Sequence, residues 1–183
     1  MVYQTQRWLN RTYGDDHRFN CIEENDQTGW PTIYALTRAL QIELGIQNTA
    51  DNFGPTSREL YGRNPLMRND GVENNKYGIL QGALWCKGYD TGHYYSEGIP
   101  NGFSLVFDEE VEDAVKQLKR DAGLINPDGV VTTNIMAALL SMDAFKLLSS
   151  YGGDANIRSF QQEMNRKYEA YIGIMPCDGV YGR

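Results

Sequence analysis

The sequence predicts an all-α protein of tandem three-helix bundles, two complete and a third that stops after its first helix. Three observations carry that prediction. First, a helical segment recurs without a gap: "TQRWLNRTY" (5–13) against "FQQEMNRKY" (160–168) pairs Gln6 with Gln161, Asn10 with Asn165, Arg11 with Arg166 and Tyr13 with Tyr168. Second, two apolar stripes at helical spacing each end at a glycine: Ile33, Leu36, Leu40 and Leu44 before Gly45, and Val111, Val115, Leu118 and Ala122 before Gly123. Third, a glycine corner opens a short helix after each stripe, in "NFGPTSRELY" and in "DGVVTTNIMAALL".

Taken in order, the first helix of the opening unit carries Val2, Gln6, Leu9 and Tyr13 on one face. A long loop leads to the second helix, where Pro31 follows Gly29 and Trp30 and suits a first-turn position. Gly54 and Pro55 begin the short third helix, which closes a unit over 1–62. The polar stretch 63–75 reads as a linker.

A second unit over 76–149 starts with a weaker copy of the first helix, "YGILQGALWCKG", where Tyr77, Gln81 and Leu84 share the stripe. Its second helix opens on Asp108, Glu109 and Glu110, acids that meet the positive end of the helix dipole. Residues 150–183 hold the first helix and turn of a third unit, with Asp154 or Asn156 as its cap. That helix, about 156–171, is expected to pack against the second unit, since alone its apolar stripe has no partner. The closing "PCDGVYGR" (176–183) is expected to be poorly ordered.

The recurrent glutamine sits on an apolar face in each copy. Such an amide either contacts a ligand or satisfies backbone groups at a neighbouring turn, and packing favours the second reading.

Bulk properties and motif searches exclude several function classes. A net charge of −7 argues against phosphate-backbone binding and against an anionic membrane surface. No run approaches the ~18–20 apolar residues of a membrane span, and the N-terminus lacks the features of a secretory signal. Cys21, Cys86 and Cys177 are far apart and lack a CxxC pair, and His17 and His93 lie in no recognised ligand spacing, so neither a metal nor a cofactor is expected. Neither GxSxG nor GxGxxG occurs, Cys21 near His17 lacks a third member, and the carboxylates cluster at helix starts and in polar loops. No catalytic residue is assigned.

The order of these parts resembles the peptidoglycan-binding-like repeat: an apolar-Gln-x-x-Leu helix, an Asp-Gly turn, an amphipathic helix ending in Gly-hydrophobic, then an Asx corner with a following Thr. The stretch "TGWPTIYALTRALQIELGI" with "NFGPTS" looks like a diverged form found in the N-terminal region of Gram-positive cell-wall hydrolases, ahead of a glycoside-hydrolase-like domain. The resemblance implies a non-catalytic, extracellular or wall-associated targeting part of a longer hydrolase. Its partners would be peptidoglycan, through glycan or stem peptide, and a C-terminal catalytic domain of the same protein; a helical module docking on that domain is the alternative. Two departures stand out. Gln27 replaces the first turn glycine in unit one, and unit two inserts "YDTGHYYSEGIPNGFSLVF" (89–107), with Asn101-Gly102 as a remnant of the turn. Trp30, Tyr34, Asn52 and Phe53, at the two inter-helix turns of unit one, are the candidate ligand contacts, while Trp30 and Phe53 could equally plug a small core.

Overall fold

A computed structural model describes residues 1–93 and 104–181 of the chain. Among these residues there are seven α-helices and no strand: α1 (Val2–Tyr13), α2 (Trp30–Glu43), α3 (Pro55–Gly62), α4 (Asn75–Cys86), α5 (Glu109–Asp121), α6 (Thr133–Leu139) and α7 (Ala155–Ile172). A single 3₁₀ turn, Ser149–Tyr151, precedes α7. The Asn101-Gly102 turn of the inserted segment lies outside the described residues.

Helix starts follow local chemistry. The side chains of Asn74, Asp108, Thr132 and Asp154 accept backbone N–H groups that open α4, α5, α6 and α7. α2 and α3 instead begin after glycine, with a proline in the first turn.

The centre of the molecule is α4. Every residue from Tyr77 to Trp85 is buried, so this helix has no solvent face at all, where the sequence pattern suggested a single stripe. It packs against α1, α2, α5 and α6. Gly78 and Gly82 make that possible, because a Cβ on Gly82 would stand 2.5 Å from Thr5 Cγ2 and one on Gly78 would stand 2.9 Å from Trp8. One continuous apolar core follows, running from Trp8, Leu9, Leu36 and Leu40 through Ile79, Leu80 and Leu84 to Val115, Leu118 and Leu139.

The polar stretch 63–75 is tied down along its length. Leu66 is buried and forms an antiparallel bridge with Val131, while the Asn69 and Asn74 N–H groups donate to the Phe107 and Leu105 carbonyls. The buried Tyr61 hydroxyl donates to the Val131 carbonyl at 2.7 Å and accepts from the Leu66 N–H at 3.3 Å.

Helix α7 docks on the end of α5. Arg158 Nη2 lies 3.1 Å from Asp121 Oδ1, and the amides of Gln162 and Asn165 donate to the Asp121 and Ala122 carbonyls at 2.9 Å. The terminal stretch differs from its expected disorder. Cys177 and Asp178 are buried, Leu148 N–H donates to the Asp178 carbonyl, and Asp154 N–H donates to that of Gly179. Chain ends stay mobile when nothing anchors their backbone; here α7 and the 144–154 loop supply anchors as far as Val180, Tyr181 is exposed, and 182–183 lie outside the described residues.

Candidate functional site: two hollows on a shared backbone frame

The glutamines of the apolar stripes are structural. Gln6 Oε1 accepts the Asn25 and Asp26 N–H groups at 3.0 Å, and its amide nitrogen donates to the Gln27 carbonyl and to Thr32 Oγ1. Gln81 donates to the Ser104 and Val106 carbonyls, and Gln161 accepts Gly179 N–H and donates to the Val180 carbonyl. Each amide thus holds the loop that follows its helix, and none is left to a ligand.

The loops after α2 and α5 form hollows instead. Each helix ends two residues before a glycine of positive φ, Gly45 at 78° and Gly123 at 83°, a conformation glycine adopts at little cost. In each, the N–H of the following residue turns back onto the helix: Ile46 donates to the Gln41 carbonyl and Leu124 to that of Lys119, both at 2.9 Å. A polar side chain on the last turn then ties down the loop.

In the first hollow that side chain is Gln41. It accepts the Ala50 N–H at 2.7 Å and donates to the Asn52 carbonyl and to Ser57 Oγ at 2.8 and 3.1 Å. The resulting space is about 480 Å³, bounded by the last turn of α2, the 46–54 loop and the first turns of α3. None of its lining residues carries a charge. Asn48, Asn52 and Thr56 are exposed there, and their side chains make no hydrogen bond among the described residues.

In the second hollow the same place is held by Lys119, 5% exposed, whose ammonium donates to Asp128 Oδ1. That hydrogen bond holds the Asp128 carboxyl below its ordinary range, against a smaller opposing effect of burial. The space is about 330 Å³ and is closed on one side by α7 through Asn165, Arg166 and Glu169. Its other charged side chains have partners outside the lining: Arg166 pairs with Glu163, and Glu169 Oε1 accepts from Asn134.

The four candidate contacts of the first unit fall into two groups. Trp30, 51% exposed, stacks on Tyr34 with centroids 5.4 Å apart and planes at 26°. Tyr34 lines a smaller hollow of about 200 Å³ with Pro31, Arg38 and Asp51, closed by the Arg38–Asp51 ion pair at 2.7 Å. Asn52, the next residue, lines the 480 Å³ hollow, so the same loop walls both spaces. Phe53 is half-buried, packs edge-on to Tyr61 at 5.9 Å and leans on the core. Gln41, Asn48, Thr56 and Lys119 were not singled out from the sequence. The available signal was a polar residue four positions before each of the two helix-ending glycines, Gly45 and Gly123.

A metal-ligating set also comes together that residue spacing did not suggest. His93, Asp108 and Glu110 place their ligand atoms within 4.8 Å of one another, with His93 Nε2 2.8 Å from Asp108 Oδ2. Asp108 is already engaged as the cap of α5, and Glu110 is exposed.

No helix is long and apolar enough to cross a membrane. No solved structure matches the chain. The chain is similar to the uncharacterized protein YbfG of Bacillus subtilis (strain 168), 56% identical over 185 residues that cover all of this chain and 24% of YbfG. It is similar also to the uncharacterized protein FadG of the same strain, 44% identical over 186 residues that cover all of this chain and 30% of FadG. The chain therefore spans under a third of the length of these curated relatives. Residues 73–139, which contain α4, α5 and α6 and the Lys119 side of the second hollow, match the family described as "Putative peptidoglycan binding domain".

Proposed function

We propose that this chain is a non-catalytic peptidoglycan-binding region of tandem three-helix units, which anchors a larger cell-wall hydrolase. The observation that carries the reading is the family match over 73–139 together with a hollow whose Lys119 side lies inside it and whose backbone frame recurs around Gln41. α1–α3 form one unit, α4–α6 a second, and α7 with its loop begins a third. Trp30, Tyr34, Asn52 and Phe53 serve the first unit as ligand contacts, Trp30 by offering an exposed ring face to a sugar. Weak sites in tandem gain avidity because binding at one raises the effective concentration at the next. Function of this kind places the protein outside the cell or in the wall.

Purified sacculi test the proposal directly. The folded chain should sediment with them and remain soluble without them. A folded sample that stays in the supernatant with every wall type tested refutes the reading.

A second reading is a helical module that docks on its own enzyme's catalytic domain, and the exposed Phe160, Tyr168 and Tyr171 on α7 favour it. Co-elution with that domain, or a change in its activity on mixing, would support this reading over wall binding.

A further inference from the structure

We propose that the first hollow is the subsite for an uncharged, N-acetylated sugar of the glycan strand, and that the second does not take that sugar; the assignment rests on the peptidoglycan-binding reading. Peptidoglycan offers two chemistries. Its glycan is neutral and carries acetamido and hydroxyl groups, whereas its stem peptides carry carboxylates and amines. A site that binds one of these must satisfy its polar groups without stranding its own.

The 480 Å³ hollow fits the neutral part. Its apolar wall comes from Ile46, Pro55 and Leu60, and its polar side chains are amides and the hydroxyls of Thr56 and Ser57. The side chains of Asn48, Asn52 and Thr56 are uncommitted at its rim, whereas Gln41 is fully used in holding the loop. An acetamido group presents one donor, one acceptor and a methyl, which this mixture matches, and a sugar ring adds an apolar face. An ionised ligand would find no counter-charge among the lining residues, and leaving water without one is costly.

The second hollow shares the frame and reverses the chemistry. Lys119–Asp128, Arg166 and Glu169 line it, and a neutral sugar seated there would displace water from charged groups while bringing no counter-charge. The contrast comes partly from one position on the common frame, Gln41 against Lys119, and partly from α7, which brings Arg166 and Glu169 to the second hollow alone.

The test is titration of the intact chain, followed by amide NMR, with tri-N-acetylchitotriose, its deacetylated cationic analogue and a free stem peptide. The acetylated trimer should shift resonances of residues 46–57, and binding should hold between low and high salt because the ligand is neutral. Asn48→Leu and Thr56→Val are at exposed positions, and each should weaken binding about tenfold by removing a neutral hydrogen bond. Arg166→Ala in the second hollow should leave it unchanged. Deacetylation should abolish binding. The assignment is overturned if the acetylated trimer fails to bind a chain that sacculi still retain, or if its shifts map to 119–135 and 165–169. Loss of sacculus retention refutes the peptidoglycan reading itself, whatever the trimer does.

Discussion

Replacing Asn165 by leucine should be among the most damaging single changes in the chain. The side chain is fully buried, and its amide nitrogen donates at 2.9 Å to the carbonyls of both Ala122, at the end of α5, and Met175, in the terminal stretch. Its oxygen accepts the Met175 N–H at 2.8 Å. One amide therefore joins α7 to the body of the protein and folds the terminal stretch back over it. Leucine keeps the branched, four-heavy-atom shape and leaves three backbone groups without this partner. Each neutral hydrogen bond contributes about 1 kcal/mol net, and a buried group left unsatisfied costs about 1–3 kcal/mol, so the loss should total about 4 kcal/mol. With a urea m-value of about 2 kcal/mol/M, the midpoint should fall by about 2 M. Asn10 is the natural control. It makes the analogous pair of bonds with Ile22, donating to the carbonyl at 2.8 Å and accepting the N–H at 2.9 Å, but is only half-buried. Water can replace its partners, and Asn10→Leu should cost about 1–2 kcal/mol. Urea denaturation gives both values, and hydrogen exchange should show Met175 and Cys177 amides losing protection in the Asn165 variant. A loss below about 1 kcal/mol for Asn165→Leu, or a larger loss for Asn10→Leu, would refute this account of how α7 is held.

Gly82→Val should cost about 3 kcal/mol in thermal or urea unfolding, because a Cβ there meets Thr5 Cγ2 at 2.5 Å and Leu36 Cδ2 at 3.3 Å and would force α1 and α2 away from α4. Alkaline titration should unfold the protein: burial pushes the phenols of Tyr13, Tyr61 and Tyr89 well above their ordinary value, with Glu43 beside Tyr13 and Asp121 beside Tyr89 adding to it. Their contribution is intact below the unfolded-state value of about 10 and is lost as pH rises beyond it, so tyrosinate absorbance and loss of helical circular dichroism should coincide. Burial raises the Cys86 thiol to about 11 and the Cys177 thiol to about 12, whereas Cys21 is exposed; a thiol reagent at neutral pH should label one cysteine quickly in the native protein and all three after denaturation.

Much of the helical content was legible because it depends on local signals. The stripes ending at Gly45 and Gly123, the Pro31 and Pro55 starts and the Asp154 cap are each decided within a few residues, and the helices begin and end close to those marks. Facts about partners were not legible. Gly78 and Gly82 weaken a helix by propensity, and only the approach of Trp8 and Thr5 explains their presence in the most buried helix. Asp178 and Cys177 read as an exposed end because nothing nearby in sequence covers them. Gln161, 17 residues before Asp178, and Ala144, whose carbonyl accepts the Cys177 N–H, do so in space. For the candidate site, the exposed Trp30 was visible as a large aromatic at a helix start. The hollows were not, because Gln41 and Lys119 differ in chemistry and share only a position relative to a glycine.

That shared position bears on how the proposed repeat could change ligand preference. The backbone frame around each hollow depends on a positive-φ glycine and a returning N–H to carbonyl bond, neither of which needs the side chain at 41 or 119. The side chain there serves only to tie down the loop. An amide does so with one acceptor and two donors, holding Ala50, Asn52 and Ser57 at once. An ammonium has no acceptor and must find a carboxylate, which Asp128 provides. Exchanging Gln for Lys therefore brings a charge pair with it and changes the electrostatics of the hollow while the fold stays as it was. A tandem array of such units can diverge hollow by hollow in what it binds. The helix-one amides at 6, 81 and 161 have no such freedom, because both ends of each amide are spent on the loop it holds.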